Sequence, residues 1–262
     1  MSDLWIPGAE HKPENNGGSM AGGAPRAVWH ITWDALGAGG KQPAFDNIAN
    51  YLKNVDFCPH VMWDPWTGRI VQFYPANQSA RALANTSGGV ETNRMGSVCL
   101  QVEVFFTPGA VRNGKKYMTV AETPCVGLDK LMAWMRGWKI PGTWPGGWPA
   151  WSGNSRNATT WKGKAGHYGH CHVPENDHTD PGPMPKTMFV EDDVSAPDVW
   201  KEQLGPVPWP VDGKDTMWQA STILMNVGSH VRTLETKVTA LEAKLDKILA
   251  AVAPKAPVPP AK

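Results

Sequence analysis

Apolar and polar positions alternate in several distinct ways along the chain. The first 25 residues, rich in Gly, Asn, Pro and Ser, show no periodicity and predict an irregular arm. The run Ala27-Val28-Trp29-His30-Ile31-Thr32-Trp33 is apolar with β-branched residues and predicts a strand. Ala44, Phe45, Ile48, Tyr51 and Leu52 follow at helical spacing. His60–Trp63 and Arg69–Tyr74 read as two short strands. Asp64-Pro65-Trp66-Thr67-Gly68 between them is turn chemistry, which makes the pair a β-hairpin. Ser97–Phe106 is apolar enough for a central strand, and period two puts Gln101, Glu103 and Phe105 on one face. Gly127–Trp138 predicts a helix with Leu128, Leu131, Met132, Met135 and Trp138 on one side. Residues 139–182 read as loop.

Strands interspersed with helices predict an α/β domain over residues 26–200, a mixed central β-sheet flanked by helices. A Pro-rich linker covers 201–216, with Pro206, Pro208 and Pro210. Over 217–252 the pattern changes to Leu224, Val227, Val231, Leu234, Val238, Leu241, Leu245, Ile248 and Val252, spaced by threes and fours. That heptad repeat predicts a C-terminal coiled-coil helix and a homo-oligomer, foremost a parallel dimer. The alternative is a single amphipathic helix packed on the α/β domain. Residues 253–262 contain only Pro, Ala, Val and Lys and are expected to be disordered.

Composition narrows the partners. The chain has 262 residues, 41% of them hydrophobic, which is enough for a packed core. A net charge of +1 argues against nucleic acid as the main partner. No apolar run reaches the roughly 18 residues of a membrane span, so no membrane partner is expected. The start lacks the basic and apolar regions of a secretory signal peptide. The four cysteines, Cys58, Cys99, Cys125 and Cys171, are far apart and suggest neither a zinc knuckle nor a disulfide framework. With 14 Trp, 27 Gly and 24 Pro, the chain should carry many loops pinned by aromatic residues.

Candidate chemistry is concentrated between Gly166 and Gly182, where His167, His170, His172 and His178 are four of the eight histidines. Imidazole and carboxylate are ordinary zinc ligands, and catalytic zinc keeps three protein ligands. The loop alone reads equally well as a solvated His-rich segment. His30 lies in an apolar strand, between Trp29 and Ile31. Glu103 lies among Val102, Val104 and Phe105 and needs a partner if it is buried.

Several segments occur in a recognisable order. They are Val28-Trp29-His30-Ile31-Thr32, His60 with its hairpin, Thr92-Asn93-Arg94 leading to Glu103, and Gly169-His170 through His178-Thr179-Asp180-Pro181-Gly182-Pro183. Over residues 25–195 the chain resembles the zinc-dependent type 2 N-acetylmuramoyl-L-alanine amidases, which share their fold with peptidoglycan recognition proteins. The closest resemblance is to endolysins of phages that infect actinobacteria. It implies a Zn²⁺ site of His30, His170 and Asp180, with Glu103 near the reacting water and His178 as oxyanion donor, where many relatives have Lys. His167 and His172 compete for the place of His170 but lack its ten-residue spacing to Asp180. The resemblance further implies cleavage of the amide between N-acetylmuramic acid and L-alanine in bacterial peptidoglycan. The enzyme would wait in the host bacterial cytoplasm until lysis and then act on the cell wall. A wall-recycling amidase and a non-catalytic peptidoglycan-binding module are the alternatives.

Overall fold

The computed structural model describes residues 2–189, and beyond them 203–206, 217–219, 234, 237–239, 241–242 and 244–245. The chain divides into two units, Met1–Val190 and Glu191–Lys262.

In the first unit the strands are β1 (Glu10–His11), β2 (Gly18–Ser19), β3 (Arg26–Ile31), β4 (Val61–Trp63), β5 (Ile70–Gln72), β6 (Gln78–Ser79), β7 (Cys99–Val104), β8 (Ala110–Arg112), β9 (Lys115–Tyr117) and β10 (Gly166–Gly169). Helices α1 (Phe45–Asn54), α2 (Leu128–Gly137) and α3 (Ala158–Gly163) are interspersed with them. Six strands form one sheet in the order β1-β5-β4-β7-β3-β10. The β4–β5 hairpin is antiparallel and every other pairing in this sheet is parallel, so the sheet is mixed.

Side-chain alternation along the central strands separates two faces. Ala27, Trp29 and Ile31 of β3, Val61 and Trp63 of β4, and Leu100, Val102 and Val104 of β7 share one buried cluster. Leu128, Leu131, Met132, Trp134 and Met135 of α2 pack into that same cluster, the face that the apolar spacing of α2 predicts. The opposite face is divided. Met62, Val71 and Phe105 pack with Phe45 and Ala49 of α1. Val28 and Cys99 pack with Trp161 of α3 and Tyr168 of β10. Asp46 in the first turn of α1 and Lys53 in its last turn complement the helix dipole.

Residues 2–25 are more ordered than their composition suggests. β1 pairs with β5, β2 pairs with β6, and Ile6 is buried in the main core. The indole N–H groups of Trp134 and Trp138 both donate to the Asp3 carbonyl, at 2.9 and 3.1 Å. Residues 139–182 also hold more than loop, since α3 and β10 lie there. A strand of sequence Gly-His-Tyr-Gly has little intrinsic β preference; its pairing with Arg26–Trp29 of β3 creates it. All four cysteines are free, and Cys58, Cys99 and Cys171 are buried.

In the second unit, β11 (Gln203–Pro206) and β12 (Met217–Gln219) pair antiparallel. This differs from the expected linker at 201–216 and from a helix beginning at 217; backbone pairing of the two segments takes precedence over the proline-rich composition. Residues 234, 237–239, 241–242 and 244–245 are helical. The remainder of the expected 217–252 helix and the 253–262 tail lie outside the described residues. Leu234, Val238, Leu241 and Leu245 are 59, 52, 63 and 56% exposed.

Candidate metal centre

β3 and β7 run parallel in register, with His30 opposite Glu103. Both sit one residue before the end of their strand, on the face away from α2. The carboxyl ends of parallel strands are where open α/β sheets place their ligands. β10 lies on the other side of β3 and ends at Gly169, so His170 emerges beside His30. At Gly169 a Cβ would come within 2.7 Å of Pro181 Cδ, so the chain needs glycine there to approach so closely. The ten residues from His170 to Asp180 are folded back by local bonds. The Cys171 N–H donates to the Asp180 carbonyl at 2.8 Å, and Asn176 Nδ2 donates to the Val173 carbonyl. Asn176 Oδ1 in turn accepts from the His178 N–H.

This folding brings together His30, His170 and Asp180, all buried, with one candidate ligand atom from each lying within 4.8 Å of the others. The two Nδ1 atoms are 3.0 Å apart. Asp180 Oδ2 is 3.7 Å from His30 Nδ1, and Oδ1 is 3.5 Å from His170 Nδ1. Ligands on a tetrahedron with bonds of about 2.0–2.1 Å are separated by about 3.3–3.4 Å, which these distances bracket. Asp180 Oδ1 is buried and makes no hydrogen bond of good geometry among the described residues, while the Ile31 N–H steadies Oδ2 at 3.4 Å. A buried carboxylate oxygen set among imidazole nitrogens suits a cation.

The electrostatics agree with that arrangement. Burial pushes the His30 and His170 imidazoles below the ordinary histidine range, which keeps them neutral and able to ligate. Burial works to raise the Asp180 carboxyl, but His170 and His178 outweigh it and hold the group well below the usual carboxylate range. Glu103 moves the other way. Burial first, then the charges of Asp180 and Asp34, push its carboxyl well above the ordinary value. Its Oε2 is closed off from solvent and has no hydrogen-bond partner among the described residues.

His178 is stacked on His170, with ring centroids 3.9 Å apart and planes 18° apart, and its Nδ1 lies 3.4 Å from Asp180 Oδ1. That carboxylate raises the His178 pKa against the opposing effect of partial burial. His167 and His172 do not join the cluster. His167 Nδ1 accepts from the Trp29 indole N–H, and His172 Nδ1 accepts from the Gly169 N–H, both at 3.0 Å. His60 is a structural residue, bonded to the Gln78 carbonyl and the Gln101 N–H. Cys171 is buried and Arg81 is paired with Asp56 at 2.8 Å.

Two residues beside the site escape the sequence pattern. Asp34, bonded to Thr32 Oγ1 at 2.6 Å, adds negative charge near Glu103. Trp33 follows β3 directly with φ at 49°, a left-handed conformation that costs an L residue about 1–2 kcal/mol. A Thr-x-Asp spacing hints at the first; nothing in a strand-like run signals the second. A cavity of about 350 Å³ opens beside His170 and His178, lined also by Arg81, Asn85, Thr86 and Asn176.

No family model and no curated protein matches the sequence. Among solved structures, the Staphylococcus aureus hydrolase AmiA in complex with its ligand is similar, with 13% identity and a TM-score of 0.41. The match covers 68% of this chain and 74% of that one.

Proposed function

We propose that the chain is a zinc-dependent amidase that hydrolyses the bond between the lactyl group of N-acetylmuramic acid and L-alanine in peptidoglycan. The observation that carries this reading is the meeting of His30, His170 and Asp180 at the ends of parallel strands, with Glu103 on the neighbouring strand. Two imidazoles and a carboxylate are a zinc donor set, and three protein ligands leave a position open for catalysis. Zinc held there supplies a Lewis acid that polarises a carbonyl and acidifies a water molecule. The sequence resemblance supplies the scissile bond.

The remaining steps belong to the chain's own side chains. Glu103 Oε2 takes the proton from the attacking water and returns it to the leaving amine nitrogen; its raised pKa suits a group that must hold and release a proton. His178, held toward its protonated form by Asp180, donates from its other ring nitrogen to the developing oxyanion. Digestion of purified walls should release free N-terminal alanine. A chelator should stop the reaction and added zinc restore it. Zinc binding and wall binding without alanine release would favour the non-catalytic module.

The finer reading, a phage endolysin held in the host bacterial cytoplasm until lysis, rests on the resemblance to actinobacteriophage enzymes. Production inside a bacterium should then leave cells intact until the membrane is permeabilised. Self-association through the C-terminal helix belongs to the same reading. Leu234, Val238, Leu241 and Leu245 fall on one helical stripe and are exposed. In a parallel pair Lys237 faces Glu242 of a second copy, an opposite charge at the flanking position.

A further inference from the structure

Trp33 stands apart among the described tryptophans. It lies three residues beyond His30, its backbone is left-handed, and it is 49% exposed, so burial does not offset the strain. A strained residue at a candidate active site points toward a functional constraint. Its ring lies against Trp151, with centroids 5.6 Å apart and planes at 58°. Trp151 is packed in turn on Gly182, two residues beyond Asp180, where a Cβ would meet its ring atoms at 2.4–2.5 Å. The indole pair is thereby tied to the donor triad twice, through the strand of His30 and through the loop of Asp180.

The cavity beside His170 and His178 has a different character. Arg81, Asn85, Thr86 and Asn176 place hydrogen-bonding groups on it beside the apolar Phe57, Ala82 and Ala84, and neither Trp33 nor Trp151 lines it. A substrate cut at the junction of a sugar and a peptide presents two chemistries to these two surfaces. Peptide amides and carboxylates need hydrogen-bond partners, which these cavity side chains offer and an indole face does not. A pyranose ring has an apolar C–H face that can lie flat on an aromatic ring while its hydroxyls stay in water. We propose that Trp33, backed by Trp151, is a sugar-binding wall that holds the glycan side of the substrate. This inference rests on the amidase reading for the identity of the substrate.

The test uses the full chain and two kinds of measurement. In calorimetry, the N-acetylglucosamine tetramer should bind the wild-type protein, and Trp33→Gly should weaken it about 10-fold. Glycine relieves the left-handed strain, so the variant should melt no lower than wild type, and Trp33→Phe should keep most of the affinity. In kinetics, Trp33→Gly should raise KM for a disaccharide-peptide about 10-fold more than KM for the same lactyl-peptide without sugar. Equal shifts on the two substrates, tetramer binding unchanged in Trp33→Gly, or no tetramer binding by the wild type would overturn the wall. Loss of tetramer binding in Trp33→Gly from a protein that cleaves neither substrate would keep the wall and reject the amidase.

Discussion

Glu103 and Asp180 are two carboxylates that their surroundings push in opposite directions, one up by burial and the other down by adjacent imidazoles. Such a split separates a proton carrier from a ligand. Glu103→Gln should keep the metal and lose about 10²–10⁴-fold in turnover; near wild-type turnover would remove Glu103 from the mechanism. Asp180→Asn should lose the metal, whereas His172→Ala should keep it, because the His172 imidazole is engaged with the Gly169 N–H instead. Burial lowers the pKa of both His30 and His170, so proton competition for their nitrogens sets in only below the ordinary histidine range. Zinc affinity measured by titration should therefore hold steady from pH 8 to about 6.5 and weaken below that. A steep loss already between pH 8 and 7 would contradict this. At this scale the sequence was informative wherever residue order carried chemistry, as with His30, His170 and Asp180. It was silent on Trp33, whose positive φ depends on how the strand end meets its surroundings.

Elements built on periodic apolar runs were legible within a few residues. The expected helix at Ala44–Leu52 is α1 (Phe45–Asn54), and the hairpin around Asp64–Gly68 is β4–β5. Elements that exist only through their partners were not. β10 takes its form from β3, and the N-terminal arm takes its form from the sheet edge and α2. Arg69 strengthens that docking by joining Glu10 of β1 to Asp46 of α1, at 2.6 and 2.7 Å. Because Ile6 is sealed into the core, Ile6→Ala should cost about 2–4 kcal/mol in denaturant unfolding, as in an ordinary core. A loss below about 0.5 kcal/mol would mean that the arm adds nothing to the folded unit.

Acid sensitivity and the proposed self-association belong to the scale of the whole molecule. Burial pushes His60 and His172 down to about 4 and His167 down to about 3. The unfolded chain takes up these protons near pH 6.5 while the folded chain does not. Stability is therefore complete above that pH and lost as pH falls toward 4. His60 alone is worth up to about 3 kcal/mol over that window. Unfolding midpoints in urea should fall steeply from pH 6.5 to 4.5, and His60→Gln should flatten the slope. For the oligomer, sedimentation equilibrium of the full chain should give a dimer at micromolar concentration, and Leu241→Asp a monomer. A wild-type monomer would defeat the coiled coil. Two linked active sites would hold a polymeric wall by avidity. In the second unit, the pairing of Gln203–Pro206 with Met217–Gln219 was hidden by the prolines around it.

The buried cysteines make the fold's own opening measurable. Burial pushes the thiols of Cys58, Cys99 and Cys171 up to about 12, so in the native state they are neutral, covered and poor nucleophiles. Each sits in a different region: Cys58 in the cluster with α1, Cys99 in the cluster with α3 and β10, and Cys171 within the histidine loop itself. A thiol-reactive reagent in native buffer should modify them only as fast as each region loosens. The order in which they are labelled would rank the local stabilities of three parts of the protein, with no probe added to the chain.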